Sequence, residues 1–374
     1  MDSRIRELAR IIVTTSVDIQ PNENVFIEGE DDSHSFVQAL IDEVYRVGGR
    51  PYFSIVDSQT KKRFILGATE EQLNLYAETE IYKISKMQAY IGIRGMQNIS
   101  EFKDIPADKM ALYAKYNGLI AHARTARTKG KSIKWCTLRH PNAAMAQYAN
   151  MGTKEFEDFY FNVCNLDYAD MRRRAQPLVD RMVKTDKVHI IAPGTDLTFS
   201  IKGTMEQGST PCIGYFNLPD GEAACDPVVD SANGTITYNM ASFYQNFVFE
   251  NVCLTFENGK IIKATANNTE LLNAIFDTDP GARYVGEFAI GLNPYIEHPI
   301  VDILFDEKMF GTLHFTPGYG PLNKSSVHWD LLQNHFIEYG GGEIWFDDTL
   351  IRKDGYFVPQ DLQALNRNNY PKID

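Results

Sequence analysis

The sequence predicts an α/β N-terminal domain with a parallel sheet plus a β-rich α+β C-terminal metal-binding domain. Three observations carry this reading. Apolar strand runs alternate with amphipathic helical stretches through the first half. Closely spaced strands with tight turns take over after Lys187. Histidines and carboxylates then gather in the second half, most densely in Gly311–Asp330.

Ser3–Asp18 places Ile5, Leu8, Ile11 and Ile12 at helical spacing, with Asp2 or Ser3 as a cap. Val25–Glu28 reads as a strand ending in acids, and Ser35–Val47 as a helix stopped by Gly48-Gly49. Strand Pro51–Val56, helix Thr69–Ser85, strand Ala89–Gly95, helix Ala107–His122 and strand Ile133–Leu138 follow. Strands separated by helices imply a parallel sheet covered on both faces. Tyr148–Val183 reads as helical throughout, and its Arg172-Arg173-Arg174 run as a solvated or interdomain face. No GxGxxG or GxxxxGKS sequence supports nucleotide binding.

Past the boundary, expected near residue 185 (domains 1–185 and 186–374), the strands are Val188–Pro193, Leu197–Lys202, Thr235–Asn239, Phe247–Phe256 and Lys260–Ala266. The last two are joined by the Glu257-Asn258-Gly259 turn. Helix Asn268–Phe276 interrupts them, and Tyr284–Ile290, Thr312–Phe315, Ser326–Leu332, Gly342–Phe346 and Thr349–Arg352 continue the pattern.

Composition narrows the function classes. The net charge of −12 leaves no basic footprint for nucleic acid. No run reaches membrane-spanning length, and the charged N-terminus lacks a signal-peptide core. Cys136, Cys164, Cys212, Cys225 and Cys253 are scattered without CxxC spacing, as expected of reduced thiols in a cytoplasmic protein.

The chemistry-bearing residues lie in the second half. His328 and Asp330 sit two apart, which on a strand aims both at one point, and His314 precedes the intervening Pro/Gly turn. Glu222 follows the Asn217-Leu-Pro-Asp-Gly turn at a strand start. Glu287 is a charge inside the apolar strand Tyr284-Val-Gly-Glu-Phe-Ala-Ile-Gly291, which demands a neutralising partner, either a metal ion or a buried arginine. Glu307, in Phe305-Asp-Glu-Lys, is a candidate sixth member or a solvated turn acid. Two imidazoles with several carboxylates exceed the needs of one catalytic metal and suit a pair bridged by a carboxylate. Such a mixed N/O set takes zinc, cobalt, manganese or iron.

Several words along the chain carry a family resemblance: Trp135-Cys-Thr-Leu-Arg139, Met145-Ala-Gln147, Lys154-Glu-Phe-Glu-Asp-Phe-Tyr160, Pro193-Gly-Thr-Asp-Leu197, Asn217-Leu-Pro-Asp-Gly-Glu222, Tyr284-Val-Gly-Glu-Phe288, Leu304-Phe-Asp-Glu307 and Val327-His-Trp-Asp330. In these, and in their order, the chain resembles the M29 family of metallo-aminopeptidases. The resemblance implies two divalent metal ions per chain (Zn, Co or Mn) held by Glu222, Glu287, His314, His328 and Asp330, with Glu307 beside them. It also implies a homodimer acting on short peptides, and a proton-transferring role for Glu222 or Glu287. The segment between His314 and His328 is shorter than the family's. Across that deletion the family's tyrosine falls on Tyr319, in Pro317-Gly-Tyr-Gly320.

Two other readings stand beside this one. His314 or His328 with Asp330 also suits a mononuclear iron ring-cleaving dioxygenase, whose relatives carry a His where this chain has Glu287. The shortened segment also suits a non-catalytic, peptide-binding dimer.

Overall fold

The computed structural model describes residues 2–98, 100–125, 127–128, 131–245 and 247–371. Contacts divide the chain into two compact units: Met1–Leu166 with Gly214–Leu218, and Asp167–Ile213 with Pro219–Asp374. The sequence reading cuts the chain once, near 185, whereas this division falls earlier and the chain returns. Tyr148–Val183 is not one helix, because Asn150 takes a positive φ of 55° and separate helices follow it. The last of these, Tyr168–Met182, buries Met171, Ala175, Leu178 and Met182 and belongs to the second unit.

The first unit is built in chain order from helix α1 (Ser3–Ile11), strand β1 (Asn24–Glu30), α2 (His34–Arg46), β2 (Arg50–Val56), α3 (Ser58–Gly67), α4 (Glu70–Ile84), β3 (Ala89–Arg94), α5 (Ala107–Thr125), β4 (Lys134–Arg139), α6 (Ala143–Tyr148) and α7 (Thr153–Cys164). The strands form one parallel sheet in the order β2-β1-β3-β4, completed by the short strand Phe216–Leu218 beside β4. Side-chain caps start the helices where the sequence provides them: Asp2 accepts from the Arg4 backbone N–H, Asp57 from Thr60 and Thr69 from Gln72. The acids at the end of β1 are structural. Glu28 accepts from Arg94, Tyr90 and Arg124, so its charge is neutralised where it is buried.

The second unit is β-rich after its helix α8 (Tyr168–Met182). Its elements are β5 (Lys187–Ala192), β6 (Thr195–Ser200), β7 (Glu222–Cys225), β8 (Asn233–Thr237), β9 (Cys253–Glu257), β10 (Lys260–Thr265), α9 (Thr269–Phe276), β11 (Val285–Gly291), α10 (Ile303–Asp306), β12 (Thr312–Gly320), β13 (Asn323–His328), β14 (Leu332–Asn334), β15 (Glu343–Phe346), β16 (Thr349–Lys353) and β17 (Tyr356–Phe357). A large sheet runs β10-β9-β8-β6-β5-β15-β16-β17. A smaller antiparallel sheet runs β7-β11-β12-β13, with β14 also on β12. Aromatic rings join the two: Phe199 of β6 packs on Phe288 of β11 and Phe315 of β12, with centroids 5.0 and 4.6 Å apart, and Phe256 of β9 reaches Phe315 at 5.6 Å. One face of the smaller sheet is thereby core, which frees the other for chemistry.

Two long strands expected from sequence are broken. Phe247–Phe256 divides at Asn251, whose φ is 52°, and Ser326–Leu332 divides after His328. The arginine run is anchored rather than merely solvated. Arg172 donates to the Ile213 carbonyl, Arg173 pairs with Asp170, and Arg174 pairs with Asp170 and lies over the Tyr370 ring. Among the described residues, no helix is long and apolar enough to cross a membrane.

The fold fixes one acid sensitivity away from the site. His335 is wholly buried, with Nε2 against Gln333 Oε1 at 2.8 Å. Burial, then the nearby Arg352 charge, hold its ring neutral, well below the ordinary value of 6.5. Because the folded pKa is depressed, the unfolded chain binds the proton first. The stabilising effect of the neutral ring is complete above pH 6.5 and is lost as pH falls, by up to about 1.4 kcal/mol per pH unit. Urea unfolding of wild type and His335→Asn between pH 7.5 and 5 should show a shallower pH dependence for the variant; equal slopes would refute this assignment.

Candidate metal centre

Strand alternation builds the site. On β11, Phe288 and Ile290 face the core, so Glu287, Ala289 and Gly291 face the other way. Register places His314 opposite Ala289, Thr316 opposite Glu287, and Glu222 opposite Gly291. The face thus carries Glu222, Glu287 and His314, and the small residues Ala224, Ala289 and Gly291 between them leave their charged ends room to converge.

His328 and Asp330 arrive by a different route from the expected continuous strand. His328 ends β13 and Asp330 lies in the connection to β14. The residue between them, Trp329, is buried in an aromatic pocket. It stacks on Tyr244 at 4.5 Å, meets Phe249 edge-on at 4.8 Å, and donates its indole N–H to Ser242 Oγ at 2.8 Å. Locking Trp329 inward turns both neighbours outward, toward Glu287. Thr316 then donates to Asp330 Oδ1 at 2.7 Å and fixes that carboxylate.

Ligand-type atoms form two groups that share one residue: Glu222, Glu287 and His314, and Glu287, His328 and Asp330, each within a span of 4.8 Å. His314 Nε2 lies 3.5 Å from both Glu222 Oε2 and Glu287 Oε1. His328 Nε2 lies 3.4 Å from Asp330 Oδ1 and 3.9 Å from Glu287 Oε2. Glu287 therefore offers one oxygen to each side. His328 Nδ1 donates to the Tyr319 carbonyl at 2.9 Å, leaving Nε2 a free lone pair toward the acids.

The electrostatics state the same demand. His314 is 2% exposed, and burial opposes its charged form. The Glu287 hydrogen bond and the Glu222 and Asp330 charges outweigh that and push it up to about 9. Burial likewise opposes a charged His328, but Asp330 foremost, with the Tyr319 carbonyl and Glu287, raises it. Burial pushes Glu307 up, against the pull of Lys308 and with the help of Asp330 and Glu222. Glu222 Oε2 is buried with no hydrogen-bond donor. An orphaned anionic oxygen beside an imidazole nitrogen and a second carboxylate fits a divalent cation, which would take the place of the His314 proton.

The remaining candidates lie outside both groups. Glu307 is buried and turned to Lys308, its Oε1 2.8 Å from Nζ. Tyr319 is 52% exposed, its ring edge toward His328 with centroids 6.5 Å apart. Two residues escaped the sequence reading. Lys308 is 2% exposed with its Nζ 2.5 Å from Glu222 Oε1; its signal was a charged triplet, Asp306–Lys308, between Ile303-Leu304-Phe305 and Met309-Phe310. Asp226 follows Glu222 and Ala224 in the two-residue phase of β7, and burial, then the Glu287 charge, push it up to about 6.

Glycine brings β11 and β12 together at the centre. A Cβ on Gly286 would stand 2.2 Å from the Tyr319 carbonyl oxygen, the acceptor for His328. Gly286→Ala should lower stability by about 1–3 kcal/mol through overpacking, seen as a lower urea midpoint at unchanged slope. An unchanged midpoint would show that the strands can part freely there.

A family model described as thermophilic metalloprotease (M29) matches residues 1–336. The chain is similar to aminopeptidase PepS of Streptococcus thermophilus, 22% identical with 95% of this chain and 96% of that protein covered. It is similar to aminopeptidase AmpS of Bacillus subtilis, 24% identical with 83% and 82% covered. The solved structure of wild-type AmpT from Thermus thermophilus superimposes with a TM-score of 0.77 over 96% of this chain and 99% of that one, at 18% identity. That likeness shows the shared two-part fold, a parallel α/β region and a separate antiparallel region.

Proposed function

Because the chain belongs to the thermophilic metalloprotease family M29, and is on that account a peptide-bond hydrolase, we propose that it is a metal-dependent aminopeptidase. In this reading it removes the N-terminal residue of short peptides at a centre of two divalent cations, zinc, cobalt or manganese, and works as a cytoplasmic homodimer. The observation that carries the two-cation reading is the position of Glu287, with one oxygen toward His314 and the other toward His328. The aminopeptidase names of the similar proteins support the substrate class.

Glu222, Glu287 and His314 would hold one cation, and Glu287, His328 and Asp330 the other. Cations bound there supply Lewis-acid polarisation of the scissile carbonyl and a water of lowered pKa. The chain's own groups do the rest. Glu222 or Glu287 takes the proton of the attacking water and returns it to the leaving amine. Thr316 keeps Asp330 oriented, and the Tyr319 carbonyl keeps the His328 ring turned. Tyr319, half-exposed beside His328, donates its hydroxyl to the tetrahedral oxyanion. Asp226, an acid outside both groups, attracts the substrate's free ammonium and favours cleavage at the first residue.

A single-iron oxygenase needs two histidines and a carboxylate around one ion. Among the described residues, His314 and His328 fall in different groups, which favours hydrolysis.

Protein purified without chelator should carry close to two divalent ions per chain by elemental analysis and release the N-terminal residue from aminoacyl-anilides. Glu287→Gln should lose bound metal and abolish turnover. A fully active Glu287→Gln would sink the shared-carboxylate assignment, and one iron per chain without hydrolysis would sink the aminopeptidase reading.

A further inference from the structure

The mechanism leaves Lys308 unused, and its position is unusually constrained. It is a buried ammonium whose Nζ lies 2.5 Å from Glu222 Oε1 and 2.8 Å from Glu307 Oε1. The backbone that presents it is laced to the strand presenting Glu222. Asn293 N–H donates to the Lys308 carbonyl at 2.8 Å, and Phe310 N–H to the Asn293 carbonyl at 3.0 Å. The Asn293 side chain donates to the Asp220 carbonyl at 3.0 Å, and Leu292 N–H to the Gly221 carbonyl at 2.7 Å, immediately before Glu222. Gly221, at φ 138°, makes that approach feasible, since a Cβ there would meet the Asn293 nitrogen at 3.0 Å. The geometry between Lys308 and Glu222 is therefore set by rigid backbone on both sides.

We propose that Lys308 is a positioning residue: by tying up Glu222 Oε1, it leaves Glu222 one oxygen, Oε2, for the cation shared with His314 and Glu287. This rests on the two-cation reading above. A carboxylate with both oxygens free can chelate a cation, but one whose other oxygen is bound to an ammonium gives a single bond. The distances separate the two oxygens cleanly: Oε1 faces Lys308, and Oε2 faces His314 at 3.5 Å with no hydrogen-bond donor of its own. Lys308 also places a fixed positive charge beside that cation position, which weakens cation binding there. The other position has partners of its own. Asp330 is held by Thr316 and His328 by the Tyr319 carbonyl, while the ion pairs of Lys308 go to Glu222 and Glu307. Glu307 thus acts through Lys308, as the second acceptor that keeps the ammonium in place.

The test is a cobalt(II) titration of metal-free full-length protein, followed by calorimetry and by visible absorption. Wild type should show two binding steps. Lys308→Met should still bind two ions, with one step tighter by tenfold or more and the other changed much less. Its visible absorbance per ion at the altered step should fall as Glu222 supplies a second oxygen and the coordination number rises. Lys308→Arg, which keeps the charge and the hydrogen bonds, should restore wild-type behaviour. Lys308→Leu, which likewise has no donor for Glu222 Oε1, gives the same reading should the methionine variant fail to fold. A merely structural lysine would, on removal, weaken both steps. That result, or two unchanged steps, overturns the proposal while leaving the two-cation reading intact. Wild-type protein that binds one cobalt or none overturns both.

Discussion

The structure of the site depends on one constraint, the placing of a carboxylate in an apolar strand between two histidines. Glu287 stands on β11, whose opposite face is packed into aromatic core through Phe288, so it cannot retreat without disturbing the two-sheet sandwich. Its oxygens point to His314 on one side and His328 on the other. Around it lie Glu222, Asp330 and Glu307, with Lys308 as the ammonium bound among them. Anionic groups held this closely need cationic charge, and the raised pKa of His314 expresses that need in the protein alone.

The scaffold meets the constraint with ordinary devices. Small residues on the site face make room, glycines at the β11–β12 crossing bring strands into contact, and the burial of Trp329 turns His328 and Asp330 toward the centre. Each acts through backbone position rather than through the reacting groups. The groups behind the ligand candidates are equally specific: Thr316 on Asp330, the Tyr319 carbonyl on His328, and Lys308 on Glu222 each settle which oxygen or nitrogen remains free.

Much of this is legible in the sequence because it rests on short-range periodicity. The strand and helix alternation of the first half gives the parallel sheet, and a charge at Glu287 inside an apolar run announces a buried ionic centre. Turns and two-residue spacing mark Glu222, His314, His328 and Asp330 as candidates, and their joint role is what the M29 resemblance implies. What is not legible depends on tertiary context. His328 and Asp330 share a direction because of the Trp329 pocket, formed by Tyr244, Phe249 and Ser242 from distant positions, and not because they share a strand. Lys308 reads as a turn residue until the chain folds it under Glu222. The return of Phe216–Leu218 to the parallel sheet, and the assignment of helix α8 to the second unit, follow from packing that no local pattern encodes.

The central claim is that Glu287 is shared between two cation positions. Anomalous diffraction from crystals grown with zinc or cobalt, collected at the metal edge, tests it most directly. The account predicts two peaks, one among Glu222, Glu287 and His314, and the other among Glu287, His328 and Asp330. A single peak, or peaks that leave Glu287 without a metal on either side, would contradict it.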